Sequence, residues 1–213
     1  MSEKPILFSS PMVLALLAGR KHQTRRVAKL TANGLAKLAG NHAAYLRDGI
    51  GLTWIPFGGA KEQPMPPAKI LEMSPYGSRL WVKEGLIRHN NCIVYAANYP
   101  DKCDPVPSPA DPERTATWSW KNKTLPGMFM PRWASRITLL VKTGRCERLQ
   151  EITEADAAKE GVTCDPYKSG YEPGTTQRPR QAFQLLWDKL NGKKHPWDSN
   201  PWVWVIEFER SKP

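Results

Sequence analysis

Nowhere in the 213 residues do 18 apolar side chains run together, and the first eight residues, which include Glu3 and Lys4, hold no apolar segment of signal-peptide length. The chain therefore reads as a soluble, cytoplasmic protein with no membrane partner. Cysteine is scarce: Cys92, Cys103, Cys146 and Cys164 are separated by 10, 42 and 17 residues, no C-x-x-C pair occurs, and no His stands three to five residues from another. That is poor zinc spacing, and the expectation is four free thiols, no metal and no cofactor. No internal repeat, heptad, P-loop, G-x-G-x-x-G, H-E-x-x-H or G-x-S-x-G is found, and most common enzyme classes lose support accordingly.

What remains is an ordinary globular composition, 40% hydrophobic and 24% charged, in a length that suits one domain with insertions. A chain of this size buries roughly 70% of its unfolded surface and needs no staple. The charge is less ordinary: the net is +11, and it is unevenly spread. Residues 1–71 hold ten basic against three acidic side chains, and residues 118–148 hold seven against one. Clustered positive charge fits a phosphate-bearing partner, and a basic solubilising surface gives the same count.

Along the chain, Lys4–Phe8 reads as a first strand, and Ser9-Ser10-Pro11 opens a helix whose buried face is Met12, Val13, Leu14, Leu16 and Leu17, with Gly19 as its C-cap. No packing pattern accounts for the following Arg20-Lys21-His22-Gln23-Thr24-Arg25-Arg26. The sequence predicts a helix near 33–46, then an irregular hairpin; strands at 79–84, 92–97 and 136–147; and a proline-rich surface loop over 100–126. Further on it predicts a helix at 153–161 with a Thr N-cap, a second from Pro179 to Asn191, and a buried closing strand from Trp202 to Phe208. Trp81, Trp187, Trp202 and Trp204 are assigned to the core. Short strands with helices between them and no repeating βαβ unit favour an α+β fold built on a small mixed β-barrel.

Ala18-Gly19-Arg20-Lys21-His22-Gln23-Thr24-Arg25-Arg26 resembles the G-x-K-x-x-T-x-R signature of ASCH domains, PUA-like β-barrels linked to RNA binding. Gly77-Ser78-Arg79-Leu80-Trp81-Val82 is similar to that family's strand after a G-D-x-L turn, with Ser78 in place of the usual Asp. Leu149–Ala157 and Trp202–Phe208 also match in order. Met130–Ile137 and Asn200–Val205 are similar to a group of ASCH-like proteins of bacteriophages and prophages. The resemblance covers residues 4–30, 74–97, 118–162 and 179–209, leaving 31–72 and 98–117 as insertions in a single domain. It implies a small PUA-like mixed β-barrel with flanking helices and, for a phage protein, residence in the bacterial cytoplasm.

The resemblance also implies a site at the barrel mouth. One branch of the family is similar to amidohydrolases of N4-acylated cytidine, which places Thr24 as nucleophile, Lys21 as base and Glu160 as acid. The same residues could instead hold a ligand without turning it over. Around them, Arg20, Lys21, Arg25, Arg26, Lys83, Arg132 and Arg136 are candidate phosphate contacts, and Trp120 and Trp133 candidate stacking platforms, for RNA, single-stranded DNA or a nucleotide. Engagement of host or virion proteins through the basic surface and the proline-rich insertion is the remaining alternative.

Overall fold

The computed structural model describes residues 3–28, 44–47, 51–54, 63–64, 79–90, 92–111, 113–116, 120–163 and 178–211. The chain opens with β1 (Glu3–Leu7) and α1 (Ser10–Leu17), with Pro11 in the first turn, where a missing N–H costs nothing. α1 buries Val13, Ala15 and Leu16, while Leu14, expected inside, is 40% exposed. Gly19 leaves the helix at φ +66°. The polar run that follows becomes strand β2 (Gln23–Val27). After β3 (Ala44–Arg47), β4 (Gly51–Trp54) and β5 (Gln63–Pro64) come β6 (Arg79–Lys83), β7 (Leu86–His89), β8 (Cys92–Tyr95) and β9 (Thr124–Leu125). The C-terminal half contributes β10 (Thr138–Arg148), α2 (Glu154–Lys159), α3 (Pro179–Asn191) and β11 (Trp202–Arg210).

The main sheet has the order β1-β6-β10-β11-β2, with β1 parallel to β6 and the other pairs antiparallel. Alternation in β6 turns Leu80 and Val82 inward to meet Ile6, Ile137, Leu139, Ile206 and Phe208. β11 is covered on both faces: Trp204 and Ile206 face that core, and Val203 and Val205 face a second one made with Phe183, Trp187, Trp197, Leu149 and Ile152. Double coverage explains its unbroken apolar run. A β8-β7-β9 sheet encloses a third core around Leu86, Ile93, Tyr95, Val106 and Met130, and β3, β4 and β5 form a small meander.

The α+β class stands, and the described strands form an open sheet rather than a closed barrel. No ladder joins edge strands β1 and β2. The two edges nonetheless face one cavity, and Arg26 Nη2 donates to Leu7 O at 2.6 Å across the gap between them.

Several expectations are corrected. The end of the helix near 33–46 falls on strand β3, its earlier residues lying outside the described residues. The proline-rich segment is not all surface, because Val106 and Ala116 are buried and Val94 bridges Pro105. Leu185 and Leu190 of α3 are half exposed. Trp81 points out of the core on β6 beside Arg79 and Lys83, with the Arg132 guanidinium and the Lys83 ammonium over its ring, at 5.8 and 5.3 Å from its centroid.

Thr153 caps α2, its hydroxyl accepting from Asp156 N at 3.1 Å. The helix stops at Gly161, whose φ is +80° and where an added Cβ would lie 2.8 Å from Lys21 Cβ and 2.9 Å from Ala15 Cβ. Gly161 therefore sets how closely α2 approaches α1. Gly19 shares the positive φ but has open space around it. Gly19→Ala is expected to cost about 1 kcal/mol of backbone strain, and Gly161→Ala about 1–3 kcal/mol more for the overlap. Urea unfolding midpoints check the order.

Candidate functional site

β2 is a polar sequence in a buried place: Lys21, Gln23, Thr24 and Arg25 are all less than 5% exposed. Unpaired charges would be prohibitive there, so partners must come from other elements. The end of α2 supplies the first. Lys159 O accepts from His22 N at 2.8 Å, which docks α2 on the segment entering β2. Lys21 Nζ then donates to Glu160 Oε2 at 2.9 Å, Glu160 O at 2.8 Å and Gln23 O at 2.9 Å. Three donors meet three acceptors, the complement of an ammonium. Burial pulls the Lys21 pKa below the ordinary lysine range, against the opposing pull of Glu160.

The second oxygen of Glu160 accepts from Arg25 Nη1 at 3.1 Å, and Arg25 Nη2 donates to Glu147 Oε1 at 2.6 Å. The Gln23 amide is turned so that its oxygen accepts from Arg25 Nη1 at 2.7 Å and its nitrogen donates to Asp156 Oδ1 at 3.2 Å. Arg145 closes the network by bonding Glu147, Glu207 and Asp156 at 2.9, 2.6 and 2.8 Å. Partial burial opposes its charge, yet these carboxylates hold its pKa above the ordinary arginine value. Three cations and four carboxylates thus meet in one network, and Lys159, its Nζ 3.9 Å from Asp156 Oδ1, brings a fourth positive charge to its edge.

Above this floor lies a cavity of about 460 Å³, a size typical of small-molecule sites. Its walls are the end of β1 with Phe8, the start of α1 with Ser9 and Ser10, β2 from Thr24 to Val27, and the α3 face of Phe183, Leu186 and Trp187. Glu160 reaches it, while Lys21 lies beneath and is not part of the lining. The Thr24 side chain makes no hydrogen bond among the described residues and lines this space. Arg26 also lines it, its guanidinium 5.4 Å from the Phe8 ring centroid.

Of the predicted site residues, Lys21, Thr24, Arg25, Arg26 and Glu160 are brought together. Lys21 and Arg25 have their charges matched by carboxylates, so neither is available to a phosphate as it stands. Arg20 is exposed and bonds Gly161 O at 3.2 Å, next to the same helix end. The others lie elsewhere. Arg136 is held bidentately by Glu84 at 2.9 Å, bonds Asp104 and Asn98, and lies over the Tyr95 ring. Burial raises the Glu84 pKa despite Arg136, and raises that of Tyr95 to about 12. Arg132 pairs with Glu3, Lys83 donates to Met128 O, and Trp133 is 38% exposed. Trp120 is half-buried against the third core, with Arg88 over its ring.

The sequence reading missed Gln23, Arg145, Glu147, Asp156 and Glu207. Asp156, an acid of the first turn of α2, also faces Arg25 across 3.5 Å. The alternation Arg145-x-Glu147 on β10 is the signal that could have revealed a charged face.

Among the described residues, no group of three or more His, Cys, Asp or Glu side chains could hold a metal ion, and no helix is long and apolar enough to cross a membrane. Comparison with family models, curated proteins and solved structures finds no match to this chain. The chemistry of the cavity is accordingly read from its own side chains.

Glu160 neutralises Lys21 and Arg25 together. Glu160→Gln should therefore cost about 3–5 kcal/mol, the usual loss when one partner of a buried ion pair is removed. Arg20→Ala, at an exposed position, should stay within about 0.5 kcal/mol of wild type. Denaturant unfolding of the two variants checks the contrast.

Proposed function

We propose that this chain is an ASCH-like, PUA-like protein that binds RNA, single-stranded DNA or a nucleotide, with a base or nucleoside seated in the cavity beside Thr24. The observation that carries the reading is the cavity itself: a hydroxyl without a hydrogen-bond partner among the described residues, a guanidinium at the rim and aromatic walls, over a floor of paired charges. Phe8, Phe183 and Trp187 offer apolar surface to a ring, and Thr24 can both donate to and accept from its polar edge. Ser9 and Ser10 bring the N-terminal end of α1 to the same space, where backbone N–H groups favour an anion such as a phosphate. The approach of β1 to β2 through Arg26 supports a PUA-like sheet curled around this site.

If backbone phosphates contribute, affinity for a short single-stranded RNA should fall steeply as salt rises. Thr24→Val should weaken binding about 5- to 10-fold, the worth of one hydrogen bond of about 1–1.5 kcal/mol, with little change in the salt slope. Arg26→Gln should flatten that slope. Fluorescence anisotropy at several salt concentrations reads all three. No binding at low salt, or binding indifferent to salt, contradicts the proposal.

A second reading, amide hydrolysis on an N4-acylated cytidine, is favoured by one observation: Lys21 and Glu160 lie 2.9 Å apart although 139 positions separate them, and Thr24 shares a wall with Glu160. Against it, Lys21 has all three donors engaged away from the Thr24 hydroxyl, and an ammonium has no lone pair to accept a proton. Turnover of N4-acetylcytidine by wild type, lost in Lys21→Ala and Thr24→Ala while nucleoside binding persists, would establish this reading. An inert wild type that still binds leaves the binding function alone.

A further inference from the structure

A second cavity, of about 320 Å³, lies where β1 and β6 begin, β10 begins and β11 ends. Four arginines line it, Arg79, Arg132, Arg136 and Arg210, together with Glu3 and Thr138. The ladders set their positions: Glu3 is opposite Arg79 across β1 and β6, while Arg79 and Arg210 are opposite Leu140 and Leu139, neighbouring positions of β10, so their side chains leave the sheet on opposite faces. Two strand spacings, about 10 Å, separate their backbones, and the two side chains reach the cavity from either face around the open end of the sheet, where both line it.

The four charges are not equally satisfied. Arg136 is held by Glu84, Asp104 and Asn98, and Arg132 is engaged with Glu3 at 2.9 and 3.3 Å. Arg79 has no hydrogen-bond partner among the described residues, and its Nε is a buried donor left without an acceptor. An unsatisfied buried donor carries a cost that protein interiors avoid, and a ligand oxygen would remove it. Arg210 is exposed and likewise has no partner among the described residues. Among the described residues Glu3 is the only carboxylate in the lining, and its hydrogen bond to Arg132, aided by the charges of Arg132 and Arg79, holds its pKa below the ordinary glutamate value. Its position shows that an oxyanion is accepted here.

We propose that this cavity is a phosphate-binding site, distinct from the cavity beside Thr24, in which Arg79 and Arg210 clamp a phosphate group and Arg132 turns from Glu3 to join them. A tetrahedral oxyanion offers several acceptors to planar guanidinium forks, and three arginines can each take an edge. Arg136, held by Glu84 and Asp104, supplies field without moving.

Equilibrium dialysis of the full chain with radiolabelled inorganic phosphate at constant ionic strength tests this. Saturable uptake of one equivalent is expected. Arg79→Gln and Arg210→Gln should each weaken it at least tenfold, while Lys194→Gln, an equal loss of charge at a remote exposed position, should change it less than twofold. Glu3→Gln should tighten it by freeing Arg132. Arg210 is exposed, so its variant guards against a folding defect in Arg79→Gln. Uptake that does not saturate, or equal effects of Arg79→Gln and Lys194→Gln, overturns the site. Competition then identifies the source of the phosphate: displacement by a nucleoside 5′-monophosphate assigns a terminal monoester, and displacement by an oligonucleotide lacking terminal phosphates assigns a backbone diester. The probe has neither base nor sugar, so the outcome is independent of whether the cavity beside Thr24 takes a nucleobase.

Discussion

Two cations taken out of water at Lys21 and Arg25 constrain everything around them. Each must find acceptors at hydrogen-bond distance or the fold loses several kcal/mol, and one carboxylate, Glu160, serves both. For Glu160 to reach them, α2 must end where it does, with Lys159 O on His22 N and Gly161 turned to positive φ against Lys21. Arg25 in turn requires Glu147, which fixes the register of β10 against β11, because Arg145 joins Glu147 to Glu207 and Asp156. Elements far apart in sequence are thereby tied to one point, and β2 is held there as an edge strand.

The cavity follows from that arrangement. An edge strand has one side free of a ladder, and here that side looks across to β1, with Arg26 reaching Leu7 O and α3 closing the flank. The ion network neutralises the floor, so the cavity beside Thr24 is not the basic pit suggested by a net charge of +11. Its polarity comes from a hydroxyl, a rim guanidinium and a helix end, and its walls are aromatic. At the other cavity, Arg79 and Arg210 stand without an ion-pair partner among the described residues.

Much of the frame was legible because periodicity and caps are local. Leu80 and Val82 alternate, Thr153 and Gly161 bracket α2, Pro179 opens α3, and the apolar run from Trp202 implies a strand covered on both faces. What escaped was non-local. Gln23-Thr24-Arg25-Arg26 has no apolar alternation, so nothing in it announces a buried strand; the compensating acids lie more than a hundred positions away. Trp81 was assigned inward on residue type, yet it shares a pleat with Arg79 and Lys83 and is covered by cations instead. Lys21, Thr24 and Glu160 were singled out by resemblance alone. That Lys21 bonds Glu160 rather than Thr24 depends on distances no sequence spacing encodes.

The central claim is that Lys21 is a charged structural tie rather than a base waiting for a proton. Nitrogen-15 NMR of lysine-labelled protein, with the Lys21 Nζ signal assigned by its loss in Lys21→Met, observes this directly. The account requires a slowly exchanging ammonium at neutral pH, held by its three acceptors, whose exchange quickens in Glu160→Gln. A neutral amine at pH 7, or an ammonium exchanging as fast as those of surface lysines, would contradict it.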